Sequence, residues 1–371
     1  MKKSQETANS SKAKNIYSLP QLGWSEYFHI SLSKEERENP PCGRIALTQR
    51  GMYHVLSPSG RSQAVVSGSF RHNCLSPSDF PTTGDWVIWS MEADSSVGVI
   101  HEVLPRKSKI SRKGAGATSD EQLIATNIDW VVIVTSLDEN FSRNRIERYL
   151  AICQGSGAKP VVVMNKADLT NKHQANDYNM NHESFRCPIV FTSAISGLGI
   201  PELRSLFAKG DTLTFVGSSG VGKSSLINEL LGDELAAISE VRTGDSKGRH
   251  TTTSREMYLS NDLIIIDTPG MRELQLSIDE DRVKATFSDI ETYGEECQFT
   301  DCTHIHEPGC AVREAIEGGE IDAKRFDNFS KQLRETQFYE QRSSKHQSSL
   351  GKKKWKDRSK IIRNIYKDKE P

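Results

Sequence analysis

No stretch of this 371-residue chain is apolar for long enough to span a bilayer. Its first residues, MKKSQETANSSKAK, carry lysines but lack the apolar core of a secretory leader. Both absences point to a cytoplasmic protein without membrane contact. Cysteine is sparse, with seven in the chain. In a reducing compartment these are free thiols or metal ligands rather than a disulfide framework. Net charge is close to absent, at −1. That balance excludes little, because charge is unevenly spread along the chain. A composition 36% hydrophobic and 26% charged is that of a globular protein, and the length allows two or three domains.

What is present centres on Gly217-Ser218-Ser219-Gly220-Val221-Gly222-Lys223-Ser224, followed by Ser225. It fits G-x-x-x-x-G-K-[ST], the phosphate-binding loop. Leu213 to Val216 reads as the strand before it, and Ser225 to Leu231 as the helix after it. The glycines let the backbone bend so that its N–H groups face a phosphate, and the helix N-terminus adds a positive dipole end. Lys223 would reach the β- and γ-phosphates, and the Ser224 hydroxyl would hold Mg²⁺.

Upstream, the runs 129–134 and 159–164 read as strands, the first a buried one, with a helix over 142–154 between them. Strands alternating with helices imply a parallel sheet, and such sheets bind ligands at the carboxyl ends of their strands. Asn165-Lys166-Ala167-Asp168 stands at such an end. The Asp168 carboxylate can accept both the ring N–H and the exocyclic amino group of guanine. Adenine lacks that donor pair and would leave the carboxylate unpaired. The Lys166 stem could pack along the base, and Asn165 could tie this turn to the phosphate loop. Ser193-Ala194, after the next strand, would bring backbone amides to the guanine O6. Downstream, Leu263 to Ile266 leads into Asp267-Thr268-Pro269-Gly270, a D-x-x-G turn. There Asp267 would hold Mg²⁺ through water and the Gly270 N–H would sense the γ-phosphate. The polar segment Asp245 to Arg255 would carry a switch threonine, one of Thr251, Thr252 and Thr253.

The flanks differ in character. Five short alternating runs between Cys42 and Glu102, separated by turns, suit a small β-barrel of the OB type, or another small β-domain. Arg106, Lys107, Lys109, Arg112 and Lys113 read as a basic linker, solvated or touching a phosphate backbone. Cys297, Cys302, His304 and Cys310 fall within fourteen residues and fit a closed tetrahedral Zn²⁺ site, with His306 a competing ligand on spacing alone. The resulting division is a flexible extension (1–40), a barrel (41–105), a basic linker (106–120), a nucleotide domain (121–275), a helical zinc module (276–340) and a basic tail (341–371). The tail could be solvated or an rRNA-binding extension.

The N-K-x-D and Ser-Ala elements precede the phosphate loop, the reverse of the usual order in small GTPases. Permutation is tolerable, because a sheet needs its strands adjacent and not in one chain order. From about residue 40 to 340 the chain resembles the bacterial RsgA (YjeQ/YloQ) family of small-subunit-dependent GTPases. The resemblance is carried by the phosphate loop, Gly248-Arg249-His250-Thr251-Thr252-Thr253 and Asp267-Thr268-Pro269-Gly270. It implies a circularly permuted P-loop α/β domain with an N-terminal OB barrel and a C-terminal helical zinc module. It also implies GTP hydrolysis with Mg²⁺, stimulated by the 30S subunit late in that subunit's maturation. The barrel and zinc module would grip 16S rRNA, and the protein would act as a monomer.

Met271 follows Gly270, where many GTPases carry a water-orienting glutamine, so His250 is the candidate catalytic residue. Gly220 stands where some permuted GTPases hold K⁺ with an asparagine, so no such site is inferred. Two other readings remain open: a GTP-switched rRNA-binding scaffold with negligible turnover, and a permuted GTPase serving the large subunit.

Overall fold

The computed structural model describes residues 16–49, 51–92, 94–113, 121–138, 141–169, 185–231, 255–260, 262–267 and 280–337. Strands β1 (Cys42–Gln49), β2 (Met52–Ser57), β3 (Gly60–Val66), β4 (Trp86–Ser90) and β5 (Val97–Val103) coincide with the five alternating runs. They pair in the order β1-β2-β3-β5-β4, and β4 pairs back to β1. The β3–β5 contact is parallel, and the short helix Gly68–Asn73 lies between β3 and β4 in sequence. This is the OB arrangement, and closing the circle removes exposed sheet edges. Ile45, Val55, Ala64, Val87 and Ile100 fill the interior.

The hairpin β6 (Lys109–Lys113) and β7 (Glu121–Thr126) then leads into the α/β domain. Its strands are β8 (Trp130–Ser136), β9 (Lys159–Asn165), β10 (Ile189–Phe191), β11 (Asp211–Val216), β12 (Glu256–Leu259) and β13 (Leu263–Asp267). They run in the order β10-β9-β8-β11-β13-β12, and all neighbours except β12–β13 are parallel. Strands covered on both faces read as unbroken apolar runs, and Val161 to Met164 and Leu263 to Ile266 are buried along their whole length. Pro160 lies in β9 before β10 begins to pair, at Ile189↔Val162, so its missing N–H breaks no ladder on that side.

Residues 16–40 are not part of a loose extension. They form a turn at Pro20–Leu22 and helices Glu26–His29 and Lys34–Glu38, the second closed by a Ser33/Glu36 capping box. Leu22, Phe28 and Leu32 are buried, and Trp24 meets Trp86 edge-on at 4.7 Å. Nor do Arg106, Lys107 and Lys109 stand in a solvated linker. Arg106 grips the fully buried Asp85 at 2.7 Å, Lys107 meets Asp129 at 2.6 Å and Lys109 meets Glu121 at 2.9 Å. Internal carboxylates neutralise these cations, which leaves them poor candidates for a phosphate backbone.

Arg44 joins the three segments. It is buried, and donates to the carbonyls of Leu22 (2.6 Å), Gly84 (3.2 Å) and Asn127 (3.0 Å). Burial pulls its guanidinium down to about 10, with Asp129 and Asp85 opposing the fall, so it stays charged at neutral pH. Arg44→Ala would take the donor from the buried carbonyls of Leu22 and Asn127, while the Gly84 carbonyl keeps its bond from Asn127 Nδ2 at 3.0 Å. The expected loss is about 3 kcal/mol of unfolding free energy, read by urea denaturation. A loss below about 1 kcal/mol would show that water replaces the guanidinium.

Residues 280–337 form a module with helices Glu280–Thr286, Ser288–Gly294 and Ala311–Glu317, and it packs on helix Arg143–Cys153. The contact is polar at its centre. Glu147, 1% exposed, accepts from Arg143 (3.1 Å), Asn328 (2.5 Å) and Arg325, while Arg325 also grips Asp289 at 2.7 Å. No helix among the described residues is long and apolar enough to cross a membrane.

Candidate functional site

The registers bring the motifs to one edge of the parallel sheet. Ser136 pairs with Asn165, Phe191 with Met164, Val216 with Ile133, and Ile266 with Thr214. The N-K-x-D turn, the Ser-Ala turn, the phosphate loop and Asp267 therefore all leave the sheet on its carboxyl side.

The phosphate loop runs from β11 into helix Lys223–Leu231. Gly217 and Gly222 have φ of +144° and +94°, conformations open to glycine. A Cβ on Gly217 would strike the Val134 carbonyl, and one on Gly222 would strike Asn165 Nδ2. Lys223 Nζ spans the loop, donating to the carbonyls of Gly217 (2.8 Å) and Ser218 (2.5 Å). Val221 is buried, while Ser219, Gly220, Ser224 and Ser225 are exposed.

Asn165 is the hub. It is 2% exposed and its Nδ2 donates to the Val221 carbonyl at 2.8 Å. Its Oδ1 accepts from Thr192 Oγ1 (3.2 Å) and from the Ala194 N–H (3.3 Å). One amide thus ties the phosphate loop to both turns that the sequence assigned to the base. Ala167 N–H adds a bond to the Thr192 carbonyl at 3.0 Å. Ser193 is buried, and Asp168 is exposed in the short turn Ala167–Leu169. Lys166 has a φ of +61° and its ammonium meets Asp138 at 2.9 Å. The sequence reading passed over Asp138. Its signal was position, two residues beyond the end of β8.

Asp267 ends β13 opposite Glu256 of β12. His250, Thr251, Thr252, Thr253, Gly270 and Met271 lie outside the described residues. The barrel reaches the strand that follows the switch segment: Leu47 pairs with Glu256, Arg61 meets Glu256 at 3.3 Å, and Thr83 Oγ1 donates to the Arg255 carbonyl at 3.1 Å.

A second cluster lies in the helical module. One ligand atom from each of Cys297, Cys302, His304 and Cys310 falls within 4.8 Å of all the others. His304 Nδ1 is 3.5 Å from Cys297 Sγ and 3.4 Å from Cys310 Sγ, and those two sulfurs are 3.9 Å apart. A tetrahedron with metal–sulfur bonds of about 2.3 Å has edges of about 3.8 Å, so the donors fit a closed metal site. His304 and not His306 supplies the imidazole. Burial lowers the His304 pKa and favours the neutral, ligating form, despite the nearby Glu307. Glu307, also missed by sequence reasoning, shapes the ligand loop. Its carboxylate accepts from Thr303 Oγ1 (2.5 Å) and from the N–H groups of Thr303 (3.1 Å), Ile305 (3.0 Å) and His306 (3.0 Å). The Thr303 hydroxyl, the Glu307 N–H and the N–H groups of His306 and Thr303 hold it far below the usual carboxylate range.

Known proteins resemble this chain in sequence and in fold. The RsgA GTPase family model matches residues 103–277. A protein of Vibrio vulnificus named small ribosomal subunit biogenesis GTPase RsgA 2 is 40% identical over 95% of this chain and 97% of its own. The crystal structure of YjeQ from Thermotoga maritima matches with a TM-score of 0.59 at 29% identity, over 80% of this chain and 98% of that one. That of YloQ, described as a circularly permuted GTPase, matches with a TM-score of 0.56 at 27% identity, over 81% and 96%. Motif order, the shared sheet edge and likeness over nearly the whole length agree: the chain belongs to the RsgA GTPase family.

Proposed function

We propose that this GTPase binds the 30S ribosomal subunit and hydrolyses GTP when that subunit stimulates it, late in small-subunit maturation. The relative from Vibrio vulnificus carries small-subunit biogenesis in its name. The observation that carries the nucleotide assignment is Asn165, whose single amide holds the phosphate loop and both base-reading turns together.

In this reading Asp168 accepts the guanine N–H groups, and the Ser193-Ala194 turn meets O6. Lys223 and the amides of Gly217 to Ser225 neutralise the phosphates. The Ser224 hydroxyl and the Asp267 carboxylate would hold Mg²⁺, whose charge would offset that of the phosphates, and the Gly270 N–H would sense the γ-phosphate. Electrostatic stabilisation of the transferring phosphoryl group then does most of the chemistry. His250 orients the water in place of a glutamine. Zn²⁺ in the Cys297–Cys302–His304–Cys310 site is structural, since four protein ligands leave no position for substrate. The barrel and the zinc module contact 16S rRNA, and the protein works in the cytoplasm as a monomer.

The test is GTP turnover by the purified protein alone, with 30S subunits and with 50S subunits, using ATP as control. Strong stimulation by 30S alone, absent with ATP, is the expected result. Stimulation by 50S instead would reassign the partner. Tight GTP binding without stimulation by either subunit would favour a GTP-switched scaffold.

A further inference from the structure

Asp138 lies two residues past the end of β8, on the sheet edge that gathers the nucleotide motifs. Two donors hold its carboxylate from different sides: Ser136 Oγ donates to Oδ1 at 2.6 Å, and Lys166 Nζ donates to Oδ2 at 2.9 Å, among its contacts. The backbone around it is fixed as well. Leu137 N–H bonds the Asn165 carbonyl at 3.2 Å, and Phe141 N–H closes a turn onto the Asp138 carbonyl at 2.9 Å. Lys166 is fixed from its own side. Its φ of +61° turns the chain sharply out of β9, and the flanking amides of Ala167 and Leu169 bond the carbonyls of Thr192 and Lys166, each at 3.0 Å. Both ends of the lysine side chain are thus set by the protein's own groups.

A surface ion pair between two free side chains contributes little. This pair differs in three respects. Its carboxylate is oriented by a second hydrogen bond, its lysine departs from a constrained backbone, and it stands beside Asn165 rather than on a neutral face. We propose that Asp138 is a positioning residue for the nucleotide. By anchoring the Lys166 ammonium it holds the four-carbon stem as a preformed wall of the base slot. The proposal rests on the guanine reading of Asn165 to Asp168. Without the anchor, binding must immobilise a freely rotating lysine stem, which lowers affinity by roughly threefold to tenfold. The effect falls on the base and not on the phosphates, since Asp138 meets the N-K-x-D lysine and not Lys223.

The experiment measures binding of a ribose-labelled fluorescent GDP to the full chain, for wild type, Asp138→Asn, Asp138→Glu, Lys166→Ala and the Asp138→Asn/Lys166→Ala pair. A labelled ADP serves as the base control. Asp138→Asn should lose roughly threefold to tenfold in GDP affinity, and Asp138→Glu should recover most of it. KM for GTP should rise by the same factor, by more than kcat falls. In the Lys166→Ala background the Asp138→Asn change should add little, because the proposed route from Asp138 to the base runs through that lysine. An undiminished GDP affinity in Asp138→Asn overturns the proposal, as does an equal further loss in the double variant. A wild type that binds labelled ADP as well as labelled GDP overturns the guanine reading itself, whatever the variants do.

Discussion

Asn165→Ala will cost this protein its guanine nucleotide, with GDP affinity falling about 100-fold in an equilibrium titration. The reason is connectivity. The amide makes three hydrogen bonds, to Val221, Thr192 and Ala194, in a place that is 2% exposed. Each neutral bond contributes about 1 kcal/mol net, and a partner left buried without one costs about 1–3 kcal/mol. A total near 3 kcal/mol corresponds to roughly a hundredfold in affinity. Most of that loss should appear in binding and less in global stability, because the sheet beneath keeps its ladder. Gly222→Ala should fail in the same way from the opposite side, since its Cβ would land on Asn165 Nδ2 and its φ is +94°. If Asn165→Ala bound GDP within about fivefold of wild type, the three segments would be held by their own backbones and the hub would be incidental.

The other large effect belongs to the metal cluster. Cys310→Ser should abolish stoichiometric zinc and unfold the helical module while leaving GDP binding within a few fold of wild type. Cys310 is buried and stands immediately before helix Ala311–Glu317, so it is both a donor and the anchor of that helix. Structural zinc supplies about 10 kcal/mol or more of free energy that is available only to the folded state. Among the described residues of the module, the apolar core is small: Val283, Phe287, Ile290, Val312, Ala315, Ile321 and Phe329 are its buried members. A core of that size does not replace the metal. Zinc content by a colorimetric chelator, a thermal melt and 30S-stimulated turnover would read the three consequences. Full stimulation in a zinc-free variant would show that the module holds together without the metal, through its packing on Ile146, Tyr149 and Leu150 and the Glu147, Arg325 and Asp289 network.

Much of this protein was determined locally. The phosphate loop, the N-K-x-D turn, the five barrel strands and the Cys₃His set are each read from residues close together in the chain. Their chemistry follows from spacing: glycines where φ must be positive, apolar runs where a strand is covered on both faces, ligands on one tight loop. Circular permutation could also be read, because it is a matter of order. The choice of His304 over His306 could not, since both spacings suit a loop and only the folded turn shows which ring meets the sulfurs.

The rest was decided by tertiary packing. Leu22 and Phe28 stand in elements of only three and four residues, too short for an apolar period to register, so residues 16–40 read as loose until Trp86 and Arg44 met them. The cations of the supposed linker found Asp85, Asp129 and Glu121, and Arg325 found Glu147 from 178 positions away. Asp138 and Lys166 met because adjacent parallel strands end at the same edge. A charged residue carries no mark of its partner in its neighbours along the chain. Its pairing is set by which strand ends and helix faces lie within a few ångströms, and the packed core alone fixes that distance.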